Sequence, residues 1–378
     1  MNTKNLNLIF ENYISRFERI NEPDGANENY KWFAVHNFQE VFDIDAPDFA
    51  SMLKKACRAT ENMIDNYMQP FSGLVAMAEK DGEAETIREM FRQLYADDGG
   101  DLTARQQKIT AFLASCDELL AKHYPSSHLY KNDQRSAMAY LWFYDPDNNY
   151  MCKTTEAQYL ANAAEFYEEW GTYATFRLDV YYRFCDALID EIRKCPALLA
   201  IHQSRFEGHE AEMHPDTQLH ILAFDIIYCA RTYGLYTGVE IKDISSEDRR
   251  LYQQRKDKAI ELAGQLAVAE ENMMLLQDGI SEAETMVRSG AAIMHKSFGV
   301  GSLEEFDGHY LVIRFPGFDV PKKFELTSAL GNGFLSLDVP QFSTFIDKYN
   351  AVLKQAMRIP QQVKSAEAAL KPYADYLD

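Results

Sequence analysis

The sequence predicts a mainly α-helical protein with a small β domain, an α+β architecture. Apolar residues recur at helical spacing through most of residues 1–240. Two longer series, at 252–287 and 342–377, repeat every three and four residues, and the stretch between them is rich in turns and short alternating segments. With 47% hydrophobic and 25% charged residues, the 378-residue chain can form more than one folded core.

The first part of the chain is predicted as an N-terminal helix with a linker, residues 1–28, and an α-rich recognition domain, residues 29–240. Helices are predicted at 5–20, 46–65 or 67, 83–95, 102–122, 156–169, 176–195 and 217–233. The stretch 123–154 is rich in tyrosine and contains an Asp-Pro-Asp turn. It is therefore predicted as two short strands or extended segments.

The two repeating series predict an antiparallel coiled-coil hairpin made of residues 246–290 and 340–378. Their apolar positions alternate in spacing between three and four, which is typical of helices that pack along a seam. Both series have the same length and enclose a compact insert, so they are expected to pair with each other. The alternative is that both helices pack on the N-terminal domain. Pro360 is expected to bend or interrupt the second helix.

Residues 291–338 are predicted to form a small SH3- or Tudor-like β-barrel, inserted at the tip of the hairpin. Gly299 and Gly301 indicate a tight turn. An Asp-Gly pair at Asp307 lies between two apolar runs, which is a strong hairpin signal. The run that follows, 309–315, alternates between two different faces.

The motifs of this stretch come in a recognisable order. They are His-x-x-Phe-Gly-x-Gly from His295, Asp-Gly at Asp307, Arg-Phe at Arg314, Lys-Lys-Phe at Lys322 and Gly-Phe-Leu at Gly333. This order resembles the small C-terminal barrel of bacterial repair helicases of the PcrA/UvrD type. In those helicases the barrel is a protein-docking module, so the resemblance implies binding by His295, Phe298, Gly299, Gly301, Arg314, Lys322 and Lys323. The simpler interpretation is that the histidine and phenylalanine are structural and that the lysines protect an edge strand.

Short patterns are also spread through residues 29–236. They are Tyr30-Lys-Trp32, Asn37-Phe-Gln39, Asp43 to Phe49, Met90-Phe91, Arg105, Ala139-Tyr-Leu141 with Tyr150 and Lys153, and His214-Pro-Asp216 with Asp225. They resemble the N-terminal region of AAA+ proteins in bacterial methylcytosine-dependent (McrB-type) restriction systems, which implies a target-recognition role. The GxxxxGK[ST] motif of the AAA+ motor does not occur in this sequence.

Aromatic residues of this region are candidates for a binding pocket that holds a flipped base. The candidate residues are Tyr30, Trp32, Trp142, Tyr144 and Tyr150, with Lys153. The same aromatic side chains serve equally well as hydrophobic core. Their role as a pocket depends mainly on the McrB-like resemblance.

A search for catalytic and metal-binding motifs gives one near match, His209-Glu-Ala-Glu-Met-His214. Zinc proteases need histidines four residues apart, whereas a separation of five places them about 140° apart on a helix. A loop that gathers His209, Glu212 and His214 around a metal is one interpretation, and an acidic solvated loop is the other. No GxSxG, GxGxxG or CxxC motif occurs. We therefore predict no enzyme activity, no cofactor and no metal site.

The net charge of −20 bears on the kind of partner. No segment of the chain is markedly basic, which disfavours binding along a phosphate backbone and leaves nucleic acid open only through local contacts. A protein partner is predicted instead, through the barrel or the coiled coil. No two of the six cysteines have CxxC spacing. No apolar run of signal-peptide length lies at the N-terminus, and none of membrane-spanning length occurs. These features predict a reduced, cytoplasmic protein without membrane contact.

Three functional hypotheses follow. The first is a non-enzymatic recognition or adaptor protein of a bacterial restriction or phage-defence system. The second is an acidic structural or oligomerising protein that mimics DNA or simply remains soluble. The third is a metal-dependent hydrolase that uses His209 and His214.

Overall fold

The computed structural model describes residues 1–61, 63–65, 67–172 and 175–377 and divides the chain into two units, Met1–Arg249 and Arg250–Asp378. About 60% of the residues are helical, and the strands form one five-stranded antiparallel sheet in the described part of the chain. The prediction of a mainly α protein with a small β domain is therefore confirmed. Within the described residues, no helix combines the length and apolar character needed to cross a membrane.

Unit 1 consists of helices. Eleven lie wholly within it in the described residues: α1 (Thr3–Ile20), α2 (Tyr30–Val41), α3 (Phe49–Ala59), α4 (Pro70–Lys80), α5 (Ala84–Leu94), α6 (Leu102–His123), α7 (Gln134–Tyr144), α8 (Thr154–Ala163), α9 (Leu178–Arg193), α10 (Pro196–Ser204) and α11 (His220–Thr232). Helices α1, α5, α6 and α9 lie close to their predicted positions. Helices α2, α4 and α10 were not predicted.

Aromatic packing dominates part of the unit 1 core. The ring centroid of Tyr140 lies 5.0 Å from that of Phe71, 5.4 Å from Phe91 and 5.7 Å from Phe112. All three contacts are edge-on, which suits the charge distribution of aromatic rings. The Tyr140 hydroxyl donates to the side-chain oxygen of Asn132 at 2.8 Å, so its polar end is satisfied.

The prediction of extended structure at 123–154 is wrong, because α7 lies in its centre. Asp133 caps this helix by accepting from the backbone amides of Arg135 and Ser136, and the Ser136 hydroxyl accepts in return from the Asp133 amide. Every residue from Ser136 to Phe143 is buried. A helix buried on all sides has no amphipathic period, so the pattern that indicates a helix is missing.

Two other predicted helices extended too far. Helix α3 ends at Ala59, because the Thr60 hydroxyl binds a carbonyl of the last turn at 2.7 Å and Glu61 has a φ of 49°. Helix α8 ends at Ala163, and Glu165 has a φ of 52°. A residue with positive φ leaves the right-handed helical region, so each helix stops before it.

Unit 2 combines most of the long helix α12 (Ser246–Arg288) with the sheet and the helices that follow. The strands are β1 (Ile293–His295), β2 (Gly299–Phe306), β3 (Tyr310–Arg314), β4 (Lys322–Glu325) and β5 (Leu335–Leu337), in the order β4-β3-β2-β1-β5. The remaining elements are α13 (Leu326–Gly331), α14 (Phe342–Leu353), α15 (Ile359–Leu370) and a 3-10 helix (Lys371–Tyr376).

Helix α12 runs unbroken for 43 residues, or about 65 Å at 1.5 Å per residue. Its returning partner is interrupted between α14 and α15, and Pro360 lies in the first turn of α15. Contacts between the two arms run in opposite directions. A Cβ built on Gly279 would lie 3.0 Å from the Tyr349 ring, whereas the Tyr252 and Tyr376 rings are 5.4 Å apart.

Burial along α12 follows a seven-residue period at Leu262, Ala269, Leu276 and Ala283. The inner face of the sheet shares a core with α12, α13 and α14, to which Ile313 contributes a fully buried side chain. The coiled-coil geometry of the arms and the SH3- or Tudor-like class of the sheet stay predictions.

Candidate functional site

The outer face of the sheet carries exposed apolar side chains. In β1, Ile293 and His295 are buried, while Met294 points to the opposite face and is 45% exposed. Met294 is paired with Val300 of β2, and paired residues share a face. Val300 is 56% exposed, although valine is usually buried.

A third apolar residue extends this surface towards β5. The Lys296 amide donates to the Phe334 carbonyl at 3.1 Å, which continues the pairing of β1 with β5 by one step. Phe334 is 39% exposed, and the Lys296 ammonium lies 4.1 Å from its ring centroid. We call Met294, Lys296, Val300 and Phe334 the outer-face patch.

Five of the seven predicted binding residues of the sheet lie in two groups, and the other two are glycines. Arg314 lies between the buried Ile313 and Phe315, and Lys323 is paired with Val312 of the same strand as Arg314, so both face outward. Arg314 forms an ion pair with Glu304, and the Lys323 ammonium lies 4.1 Å from the Tyr310 ring centroid. The second group, His295, Phe298 and Lys322, lies on the inner side, around the exposed ring of Phe318.

His295 is tied into a turn. Its Nδ1 accepts from the amides of Ser297 and Phe298 at 3.1 and 3.2 Å, and its ring stacks on Phe298 at 4.1 Å. Burial, followed by the charge of Lys296, lowers the pKa of His295. This geometry fits the simpler interpretation of a neutral, structural histidine.

The two glycines of the motif have different roles. Gly299 has a φ of 76°, which favours glycine. A Cβ at Gly301 would come within 2.5 Å of Ile313 and 2.6 Å of Phe315. Both glycines therefore shape the turn and the inner face of the sheet.

The aromatic residues predicted to form a pocket in unit 1 have separate surroundings. Trp32 lies beneath the guanidinium of Arg205, and Trp142 packs on Phe224. Tyr150 stacks on His220, Tyr144 stacks on Tyr95, and the half-buried Tyr30 lies beside Lys31. In the part of the chain that the structure describes, these five rings are not gathered around a common cavity. Lys153, by contrast, lines a cavity.

A buried charge network lies between α1, α2 and α11, and the sequence patterns did not predict it. The Lys31 ammonium contacts the Asp225 carboxylate and lies 2.7 Å from Glu28. The Tyr13 hydroxyl donates to Asp225 and accepts from Arg205 at 2.8 Å. A lone aspartate in the apolar helix α11 is the sequence signal that a buried partner exists.

This network is balanced in charge, with Glu28 and Asp225 against Lys31 and Arg205. Burial alone would lower the pKa of Lys31, but its neighbours, with Asp225 foremost, together outweigh this effect and hold the pKa well above its usual value. Burial would likewise raise the pKa of Asp225, yet Lys31 and Arg205 hold it below its usual value. The arrangement is therefore a structural set of ion pairs.

The same place contains a geometrically compact set of metal-ligand types. Among the described residues, ligand atoms of Glu28, Asp225 and Cys229 lie within 4.8 Å of one another. The Lys31 ammonium already contacts both carboxylates, and burial raises the pKa of Cys229 well above its usual value. A metal ion would have to displace Lys31, so this set does not fit a metal.

The histidines of the near-zincin motif have different environments. His209 and Glu212 form a surface pair at 3.1 Å. His214 is buried, and its Nδ1 accepts from the Asp216 amide at 3.1 Å. Asp216 in turn accepts from the amides of Ile221 and Leu222 at the start of α11, and burial raises its pKa to about 7. This geometry gives no support to the metal-dependent hydrolase.

Comparison of the chain with protein-family models, curated proteins and solved structures gives no significant match. The resemblances to McrB-type proteins and to helicase barrels stay predictions.

Proposed function

We propose that the protein is a non-enzymatic adaptor that docks a protein partner on the outer face of the unit 2 sheet. The observation that supports this is the outer-face patch, in which Met294, Val300 and Phe334 are exposed on neighbouring strands. Contiguous exposed apolar side chains are typical of interaction surfaces.

The charges on the outer face of the sheet suggest the chemistry of the partner. Lys296 lies within the patch, and its ammonium is 4.1 Å from the Phe334 ring centroid. Lys323 lies on β4, two strands away from β2, and its ammonium is 4.1 Å from the Tyr310 ring centroid. A cation over a ring keeps part of its capacity to bind a carboxylate. We therefore infer a partner segment that combines apolar and acidic side chains.

In this proposal α12 and the returning arm form a coiled-coil hairpin that presents the sheet, an SH3- or Tudor-like module, at its tip. The seven-residue burial period of α12 and the opposed contacts of Tyr252 with Tyr376 and of Gly279 with Tyr349 support it. Unit 1 is then the recognition domain of a cytoplasmic defence system. That part depends on the sequence resemblance.

The test compares two substitutions of equally exposed apolar residues in unit 2. Val300 lies in the outer-face patch and Ile260 lies on α12, and both are 56% exposed. Native-lysate capture with quantitative mass spectrometry should show a partner enriched by wild type and by I260D. V300D should reduce that enrichment about 10-fold, the effect of losing one central contact of about 1.4 kcal/mol. Equal enrichment by all three proteins would contradict the proposal.

The net charge of −20 favours one alternative, an acidic structural or oligomerising protein. This alternative predicts a defined oligomer of the chain itself, whereas the adaptor binds a different protein. Light scattering that gives a defined oligomer, together with a V300D variant that captures the same proteins as wild type, would favour the alternative.

A further inference from the structure

A cavity in unit 1 is lined by three basic side chains, Lys131, Arg135 and Lys153. It opens to solvent and has a cavity volume of about 70 Å³, which suits a small anionic group. The rest of the lining is largely apolar and includes Met63, Ile64, Met68 and Met151. A few charged side chains among apolar ones are typical of sites that bind small molecules.

The loop before α7 supplies part of the cavity lining, including Lys131 and Asp133. Asn132 is buried, and its side-chain oxygen accepts from the hydroxyls of Ser136 and Tyr140 at 3.0 and 2.8 Å. The Tyr130 amide donates to the Met68 carbonyl at 2.7 Å, which ties the loop to the segment before α4. Lys131 and Asp133 are therefore placed by a fixed backbone.

Lys153 comes from the extended segment before α8. The neighbouring Met151 carbonyl accepts from the Tyr181 hydroxyl at 2.7 Å, which anchors this segment to α9. Lys153 is half-buried, and its ammonium donates to the Met63 carbonyl at 3.5 Å. Among the described residues, no carboxylate lies within ion-pair distance of this ammonium. Burial, reinforced by the charge of Arg135, lowers the pKa of Lys153 despite the opposing effect of Glu156.

The charges around the cavity do not cancel. Among the described residues, Asp133 is the one carboxylate in the lining, and it is already bound to the Arg135 guanidinium at 2.6 Å and caps α7. Helix α8 begins beside Lys153 without a side-chain cap, and the acidic residue of its first turn, Glu156, forms an ion pair with Arg231 at 3.3 Å. A half-buried ammonium without a carboxylate partner is stabilised when an anion binds.

We propose that this cavity binds a small organic anion, with its phosphate or carboxylate group at Lys153 near Lys131 and Arg135 and its apolar part against the methionines of the lining. Binding is noncovalent. Cys152 also lines the cavity, but burial raises its pKa to about 12, so it remains a thiol at neutral pH.

Calorimetric titration of the full chain with adenosine monophosphate, hexanoate and adenosine tests the proposal. One or both anions should bind and neutral adenosine should not, and the stronger anion identifies the head group. K153M should weaken binding about 10-fold or more, because a charge-assisted hydrogen bond is lost. The matched control is K54M, since Lys54 is an exposed lysine of unit 1 paired with Glu79 at 2.8 Å. Absence of anion binding, or equal binding by K153M, would overturn the proposal.

A second measurement uses the chemical reactivity of the Lys153 amine. Acetic anhydride labels unprotonated amines, so Lys153 should be labelled at a pH near its pKa in the empty cavity. The bound anion holds the ammonium protonated and should reduce that labelling, whereas labelling of Lys54 should not change. The anion binds the protonated ammonium. Its affinity is therefore highest below the pKa of Lys153 in the empty cavity and falls as the pH rises through that pKa. K153M should lack this pH dependence. Lys153 labelling that the anion does not reduce would count against the proposed site.

Discussion

At the residue scale, the buried pair of Lys31 and Asp225 shows how unit 1 accommodates charge. Both side chains are almost completely inaccessible, and each also contacts another member of the network. Ion pairs of this kind contribute little net stability compared with apolar packing, but the loss of one partner leaves an unpaired buried charge. The network therefore connects α1, α2 and α11, because the removal of one charged group leaves another buried group unpaired.

Lys31→Met should reduce the free energy of unfolding of unit 1 by about 3–5 kcal/mol, because Asp225 and Glu28 lose their ammonium. The three tryptophans, Trp32, Trp142 and Trp170, all lie buried in unit 1, so their fluorescence during urea unfolding reports this unit alone. Addition of Asp225→Asn to the Lys31→Met variant should restore part of the loss.

The control for this prediction is Lys54→Met. Lys54 forms an exposed ion pair with Glu79, so its removal should change the free energy of unfolding by about 1 kcal/mol or less. Similar effects of the two substitutions would show that the Lys31 network is not a buried structural tie.

At the element scale, substitutions at two glycines of α12 distinguish the contribution of helix propensity from the contribution of packing. A Cβ at Gly264 meets no atom within 4 Å, whereas a Cβ at Gly279 would lie 3.0 Å from the Tyr349 ring. Gly264→Ala should stabilise the helix by up to about 1 kcal/mol. In Gly279→Ala the strain against Tyr349 should cancel or reverse this gain.

Hydrogen–deuterium exchange of α12 peptides checks both substitutions in the full chain. Gly264→Ala should slow exchange up to about 5-fold, and Gly279→Ala should leave it unchanged or faster. Equal slowing in both variants would mean that Tyr349 does not restrict α12.

The elements differ in how far the sequence predicted them. The long helix α12 and the strands on either side of Asp307 follow from spacing and turn residues, because one side of each faces solvent. Helix α7 does not, because its all-round burial removes the period. The contact of Lys31 with Asp225 joins residues 194 positions apart, which no local pattern specifies. Of the cavity's basic residues, only Lys153 was predicted as a site residue.

At the scale of the whole molecule, the net charge of −20 acts on every element. Like charges repel more strongly in the compact chain than in the unfolded one. An increase in sodium chloride from about 0.01 to 0.15 M shortens the screening length from about 30 to 8 Å. The thermal midpoint of unit 1, measured by tryptophan fluorescence, should therefore rise with salt. A falling midpoint would show that attractive ion pairs outweigh the repulsion.

The edges of the sheet offer little length for pairing with another strand. Strand β5 has three residues and β4 has four, and β4 begins with two lysines. A peptide added alongside either edge would gain only a few main-chain hydrogen bonds, too few for a lasting complex. In the proposed adaptor, selectivity would then come from side chains that meet the broad surface of the sheet. The same short edges also discourage copies of the chain from stacking into fibrils.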